Sequence, residues 1–134
     1  MTRRFVEDIF NAKKTVERIM KKVVAMIRSE RAVVLKEHLS KIGITVITIA
    51  DITAWAGPTK FALQRRGIPV SYNLIYRAKV EIFISDDLLN QVVKAIMEIT
   101  RTGEPGDGII AVSNLEQIIN ISTLQEGENA LRAF

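Results

Sequence analysis

The sequence predicts an α+β domain of the ferredoxin-like type, in which two strand–helix–strand units build a four-stranded sheet with both helices on one face. The same plan occurs twice along the chain: a strand, a serine followed by an acid, an amphipathic helix, a glycine and another strand. With 134 residues, 48% hydrophobic and 25% charged, the chain suits a single folded core. Because one face of such a sheet stays bare, we also expect self-association.

The N-terminal residues 1–19 predict an additional amphipathic helix over 3–19. An apolar stripe recurs at helical spacing in Phe5, Ile9, Ala12, Val16 and Ile19. The opposite face mixes positive and negative charges, so we expect this extension to pack on its own domain or on a neighbouring subunit rather than on a membrane. The main domain is expected over residues 20–128, followed by a short C-terminal tail over 129–134.

The first unit begins with an apolar strand over residues 21–27. Ser29 is the expected cap of the following helix, and Gly43 is its expected end. The helix buries a stripe formed by Ala32, Leu35, Leu39 and Ile42. Residues 44–53 are rich in isoleucine, valine and threonine, and this composition predicts the second strand.

The second unit begins with alternating apolar and polar residues over 76–84, the pattern of a half-buried strand. Ser85 and two aspartates open a helix, which Gly103 is expected to close. The buried stripe of this helix is predicted to contain Leu88, Val92, Ile96 and Ile99, widened by Leu89 and Val93.

A long segment over residues 54–75 separates the two units and contains two prolines and two glycines. It predicts an irregular excursion, and loops of this length in compact domains are usually functional or disordered. Residues 54–79 carry five basic side chains and no acidic one, whereas residues 80–134 carry nine acidic and three basic ones. This separation favours an anionic partner or ligand for the loop, although a solvated basic loop has the same composition.

Several classes of function are disfavoured by what the sequence contains. The absence of cysteine excludes disulfide and thiol chemistry, and the single histidine, His38, lies in a polar helical stretch. Catalysis and metal binding need converging groups, so we expect neither an enzyme nor a metal site. No apolar run reaches the ~18 residues of a membrane span, and the N-terminal basic residues are interrupted by acids. A cytoplasmic protein is therefore expected.

The most informative motif is the turn Thr102–Gly108, which contains three glycines between the second helix and the strand that follows. Successive N–H groups in such a turn can form a nest for an anion. Spacing alone fits equally well a plain helix end followed by a Pro105–Gly106 turn.

The sequence motif of this turn, Arg101-Thr102-Gly103-x-x-Gly106-Asp107-Gly108, resembles the nucleotide-contacting loop of the PII family of signal-transduction proteins. The resemblance runs from Met20 to about Glu128 and includes Met20-Lys21-Lys22, Gly43-Ile44-Thr45 and Lys79-Val80-Glu81-Ile82. It implies a compact homotrimer whose sheets face inward. It also implies an adenine-nucleotide site in the cleft between subunits.

The resemblance further implies which residues bind the nucleotide and which residues contact the target protein. The candidate nucleotide-binding positions are Thr48, Glu81, Phe83, Thr102, Gly103, Gly106, Asp107 and Gly108. The loop over 55–75 is implied to dock on a target protein, with Lys60, Arg65, Arg66 and Gly67 as candidate contacts. Arg66-Gly67 match the loop-tip pair whose arginine, in members that block ammonium transporters, enters the pore. Contact with a membrane is therefore expected only indirectly, through a transporter.

The chain departs from the family pattern where a polyphosphate would be neutralised. A lysine is replaced by Ile109, and three arginines are replaced by Asn120, Ser122 and Gly57. Charge-assisted hydrogen bonds contribute about 1.5–3 kcal/mol each, so we expect weakened binding of ATP, with ADP or AMP as other possible ligands and none required.

Two further departures concern the docking loop. Pro58 stands where a glutamine helps to hold magnesium and 2-oxoglutarate, so 2-oxoglutarate binding is not expected. Val70 replaces the tyrosine that some members uridylylate, which excludes that modification at this position.

The predicted function is that of a PII-like regulator that controls a target enzyme or transporter through its long loop. One alternative is a ligand-independent structural trimer, and another is a small nucleotide-processing enzyme. A nucleic-acid module is a third, but the strands offer mainly Phe83 and Tyr76 as aromatics, and the RNA-recognition signature is absent. No specific nucleic-acid partner is expected.

Overall fold

A computed structural model describes the backbone of residues 19–55, 63–65, 68–70, 74–132 and 134. These residues form a four-stranded antiparallel sheet with two helices on one face, which confirms the predicted ferredoxin-like arrangement. The helix predicted over 3–19 lies outside the described residues except for Ile19 and stays a prediction. Neither helix in the described part is long and apolar enough to cross a membrane.

The described residues form six strands: β1 (Met20–Ile27), β2 (Ile47–Trp55), β3 (Leu63–Arg65), β4 (Ile68–Val70), β5 (Leu74–Ser85) and β6 (Gly108–Leu115). The main sheet has the order β2–β5–β1–β6, and all neighbouring strands are antiparallel. Its register places Val24 of β1 between Glu81 of β5 and Ala111 of β6. The two middle strands are therefore β5 and β1, which come from different units of the repeat.

Two helices pack on the sheet, α1 (Ala32–Lys41) and α2 (Leu89–Thr100), and each follows a single 3-10 turn. Ser29 lies inside the first of these turns and makes no capping hydrogen bond, so its predicted role as a cap is wrong. The end of α1 before Gly43 is as predicted. Helix α2 ends at Thr100 because Arg101 is already extended, so Gly103 lies in the following loop and does not close the helix.

The hydrophobic core lies between the helices and the sheet. Alternate residues of the two middle strands point into it, which is the period-two pattern that the sequence predicts. Leu35 and Leu39 of α1 are fully buried, and Val92 and Ile96 of α2 meet them from the second helix. The strand residues of this core are Val23, Ala25, Ile27, Ala78, Val80, Ile82 and Ile84.

Strand β5 is longer than predicted, β2 begins and ends later than predicted, and the two strands together extend beyond the rest of the sheet. The pairing of β1 with β5 stops at Ile27 opposite Ala78, whereas β2 and β5 stay paired as far as Trp55 opposite Leu74. In the sequence between β2 and β5, strands β3 and β4 pair with each other in a small antiparallel ladder. The segment predicted as irregular over 54–75 therefore contains regular structure. We call the paired residues 52–55 and 74–77 the stem.

The chain after β6 folds back on itself. An isolated bridge joins Ile119 to Glu126, and a 3-10 helix follows over Gly127–Leu131. Ala130 in this helix is buried. The folded part of the chain therefore continues past residue 128, where the predicted domain ends and the predicted tail begins.

Candidate functional site

The sheet face away from the helices carries a charged cluster centred on Glu81. One oxygen of its carboxylate lies 3.1 Å from Lys22 Nζ, and the other lies 3.8 Å from Lys79 Nζ. Thr48 on β2 is the direct cross-strand neighbour of Glu81, so the structure brings these two predicted site residues together. Two lysines share one carboxylate, which leaves a local positive charge on this open face.

Phe83, a third predicted site residue, lies two positions further along β5. It is half-buried and lines an apolar groove of about 330 Å³ together with Val46 and the folded C-terminal segment. The other groove residues are Ile118, Ile119, Asn120, Ile121, Ser122, Ala130, Leu131 and Phe134. An apolar groove beside a strand carboxylate is the kind of surface on which a flat, partly polar ring can pack.

The Gly-rich loop over 102–108 is organised by the carboxylate of Asp107. This carboxylate accepts hydrogen bonds from the backbone N–H groups of Thr102 at 2.7 Å and Gly103 at 2.9 Å, and from the Thr102 hydroxyl at 2.5 Å. The Glu104 N–H donates to the same hydroxyl oxygen at 3.1 Å. The first N–H groups of the predicted anion nest are therefore directed to an anion within the loop itself, the Asp107 side chain.

The environment of Asp107 favours its charged form. The hydrogen bond from the Thr102 hydroxyl, supported by the two backbone N–H groups and by Arg28, lowers the pKa of Asp107 to about 2. Partial desolvation acts in the opposite direction but is outweighed. The Asp107 carboxylate is therefore ionised at neutral pH and keeps the loop closed around it.

Two arginines hold the same loop from the sheet. Arg28, directly after β1, donates to the carbonyl oxygen of Pro105 at 3.1 Å, and its Nε lies 3.5 Å from Asp107. Arg77 of β5 donates to the carbonyl oxygen of Gly106, also at 3.1 Å. The loop is thus fixed by charged donors from two different strands, and its carbonyl groups face these donors.

Gly108 is the position where the loop joins β6 and where the backbone comes closest to another strand. Its φ is +125°, and a Cβ atom there would lie 1.9 Å from the carbonyl oxygen of Met26. No side chain fits at such a distance, so only glycine allows β6 to pair with β1 from its first residue.

Within one chain the two groups of predicted site residues are far apart. Thr48, Glu81 and Ala111 lie in one row of cross-strand neighbours that runs across the sheet, and Ala111 is three residues beyond Gly108 along β6. Three residues of strand span about 10 Å, and three strand spacings of roughly 4.8 Å separate β2 from β6. Within one chain, Thr48 therefore lies roughly 17 Å from Gly108.

One of the positions that lack an expected cation, Asn120, has another use in the described structure. The amide nitrogen of Asn120 donates to the carbonyl oxygens of Ala130 at 3.0 Å and Arg132 at 3.2 Å. Its amide oxygen accepts from the N–H groups of Ser122 at 2.9 Å and Thr123 at 3.0 Å. Asn120 therefore holds the folded C-terminal segment together. Ile109, by contrast, has 62% of its surface exposed.

The predicted docking residues are only partly described. Arg65 lies in β3, whereas Lys60, Arg66 and Gly67 fall outside the described residues. The stem below them is described and exposes Trp55, Leu74 and Tyr76, with 68%, 56% and 74% of their surfaces accessible.

Sequence reasoning missed Arg28, the contact of Arg77 with the Gly-rich loop, and the structural role of Asn120. Arg28 directly follows a strand, which is the only sequence signal that it carries, and its partner loop lies 77 residues away. Among the described residues, no group of three or more histidines or acids gathers in a way that could hold a metal ion.

Comparison with known proteins identifies relatives over most of the chain. The family described as nitrogen regulatory protein P-II matches residues 20–125. A nitrogen regulatory protein P-II from Pasteurella multocida is 33% identical over 112 residues, which are 84% of this chain and 100% of that protein.

Solved structures give the same result. A structure of the Bacillus subtilis GlnK–ATP complex is 35% identical, covers 84% of this chain and 95% of its own, and superposes with a TM-score of 0.68. Arabidopsis thaliana PII bound to citrate is 29% identical, with a TM-score of 0.68 and coverage of 84% and 92%. These structures support the fold.

Proposed function

The chain belongs to the nitrogen regulatory protein P-II family, and we propose that within this family it controls a target enzyme or transporter by direct contact through residues 55–75. The observation that carries this proposal is the stem. Strands β2 and β5 extend beyond β1 and present Trp55, Leu74 and Tyr76 to solvent, and every charged side chain in the sequence segment 55–75 is basic. Exposed aromatic residues next to concentrated charge are typical of protein-binding surfaces.

The active form is proposed to be a homotrimer in the cytoplasm. The open face of the sheet supports this, because it combines apolar residues such as Met26 and Ile109 with the charged cluster at Glu81. Such a face is stabilised when another copy covers it. The separation of Thr48 and Glu81 from the Gly-rich loop within one chain also fits a ligand site that is shared between two copies.

The proposed ligand is an adenine nucleotide that is held more by its base than by its phosphates. A relative from Bacillus subtilis has been solved as an ATP complex, which makes a nucleotide the first ligand to test. The apolar groove at Phe83 suits a base. Near the phosphates, Ile109 and Asn120 replace cations, and Asn120 is fully engaged with its own chain. Sensing of ATP and 2-oxoglutarate is therefore proposed to be weaker than the family pattern implies.

Calorimetric titration with ATP, ADP, AMP and 2-oxoglutarate, with and without magnesium, tests this proposal. We expect binding of ADP or AMP at least as tight as that of ATP, and no heat from 2-oxoglutarate. Tight ATP binding that depends on magnesium would contradict the charge argument. If no ligand binds, the result would favour the alternative of a constitutive, ligand-independent trimer. The hydrogen bonds of Asn120 within its own chain also support that alternative.

A substitution that restores one charge sharpens this test. Ile109→Lys places a cation at an exposed position of the loop's strand, so we expect ATP to bind about tenfold more tightly, the effect of one charge-assisted hydrogen bond. Val112→Lys adds the same charge on the same strand but on the opposite face, and it should leave ATP binding within about twofold. Equal gains in both variants would indicate general electrostatic attraction and contradict a local phosphate site.

A further inference from the structure

Arg77 connects two parts of the molecule that otherwise share no strand. It stands on the stem, opposite Ile52 of β2, and has no partner in β1. Its guanidinium donates to the carbonyl oxygen of Tyr76 at 2.8 Å and to that of Gly106 at 3.1 Å. One rigid, planar group therefore links the backbone of the docking-loop stem to the backbone of the Gly-rich loop.

The contact at Gly106 is tight. A Cβ atom at this position would lie 3.2 Å from Arg77 Nη2 and 3.4 Å from Arg28 Nη2. A Cβ atom at Gly106 would therefore crowd the Arg77 guanidinium, which would have to shift by a few tenths of an ångström. A displacement of the loop backbone by a few tenths of an ångström changes these contacts directly.

The two arginines differ in what they connect. Arg28 follows β1 and leads into the turn before α1, which belongs to the body of the domain. Arg77 is followed by the main sheet in one direction and by the docking segment in the other. Arg28 therefore joins the Gly-rich loop to the body of the domain, whereas Arg77 joins it to the stem.

We propose that Arg77 is a positioning residue that couples the state of the Gly-rich loop to the conformation of the docking-loop stem through the Gly106 carbonyl. This inference rests on the proposed function in one respect, namely that the segment carried by the stem is the docking loop. The coupling itself needs no ligand. When the loop backbone moves, Arg77 loses or regains its hydrogen bond to Gly106, and the stem residues around Tyr76 loosen or tighten with it.

A mutant cycle without ligand tests the coupling. Asp107→Asn loosens the loop from inside, because it removes the negative charge beside Arg28 and replaces one of the two accepting oxygens by an NH2 donor. This change is made in the wild-type, Arg77→Gln and Arg28→Gln backgrounds. Peptide-level hydrogen exchange is followed over 74–77 and over 102–108, and quenching of Trp55, the only tryptophan, gives a second readout at the stem.

We expect Asp107→Asn to raise exchange over 102–108 in all three backgrounds. Exchange at the stem should rise about two- to tenfold in the wild-type and Arg28→Gln backgrounds, the range of one hydrogen bond, and less than twofold with Arg77→Gln. An equal stem response in all backgrounds would overturn the inference. So would a stem that never responds, or a response that both arginine variants abolish, since that indicates general loosening.

The nucleotide titrations and this cycle fail separately. If no nucleotide binds but the cycle gives the expected pattern, the proposed sensing is wrong and the coupling stands. If nucleotides bind but hydrogen exchange at the stem responds equally with and without Arg77, the proposed function keeps its support and the coupling is wrong. Melting temperatures measured for every variant at one protein concentration verify that each is folded.

Discussion

The close packing of Gly108 against the end of β1 gives a prediction whose size can be worked out. In Gly108→Ala, the new Cβ would meet the Met26 carbonyl oxygen at 1.9 Å, the Met26 carbonyl carbon at 3.0 Å and the Ile27 Cα at 3.2 Å. All three are backbone atoms, so no flexible side chain can move aside. The start of β6 must separate from the end of β1 by more than an ångström.

Two effects add up in this variant. An alanine at φ +125° costs about 1–3 kcal/mol in backbone strain, and overpacking of this kind costs about 1–3 kcal/mol more. Fraying of the first residues of β6 limits the total, so we expect a loss of about 2–4 kcal/mol in the free energy of unfolding. For a chain of 134 residues this lowers the melting temperature by roughly 6–16 °C.

Gly103→Ala is the matched control. Its φ is +89°, so the strain is similar, but no atom lies within 4 Å of the added Cβ. Urea unfolding of both variants at one protein concentration should place Gly108→Ala at least about 1 kcal/mol below Gly103→Ala. Equal stability of the two variants would refute the steric reasoning and reduce the role of Gly108 to its φ angle.

Three further predictions follow from other parts of the structure. Leu39→Ala should lower the free energy of unfolding by about 2–5 kcal/mol in urea because Leu39 is fully buried, whereas Val34→Ala on the exposed side of α1 should cost less than 1 kcal/mol. Asn120→Ala should expose residues after 118 to limited proteolysis, because four hydrogen bonds are lost together. The pKa of Asp107 is below its unfolded value, so its contribution to the stability of the Gly-rich loop should be complete above about pH 4 and disappear as the pH falls towards 2. Hydrogen exchange over 102–108 should rise over the same pH range. Asp107→Asn should remove this pH dependence.

The elements that the sequence predicts well are those set by local periodicity. The stripe containing Leu35 and Leu39 and the alternation along β5 depend only on neighbouring residues, and both are found as expected. Helix ends were less predictable. Gly103 carries a helix-ending signal, but Arg101 had already left the helical conformation, and the glycine serves the loop.

The candidate site was predictable only in outline. The Gly-rich turn stands out by composition, yet the reason for its shape is the Asp107 carboxylate and the arrival of Arg28 and Arg77 from two strands. Those arginines are 77 and 29 residues from their partners, and only the strand pairing brings them together. Asn120 was read as the loss of a cation, whereas the structure gives it four hydrogen bonds of its own.

The network around Asn120 has a consequence for how this chain can change. At a position where the family pattern calls for arginine, the amide of Asn120 fastens the end of the chain by both its oxygen and its nitrogen. An arginine placed there would supply a positive charge but no acceptor for the N–H groups of Ser122 and Thr123. Regaining the cation therefore first requires another fastening for the C-terminal segment. Because the C-terminal segment depends on the amide of Asn120, a single substitution back to arginine would destabilise this segment before the added charge could improve ligand binding.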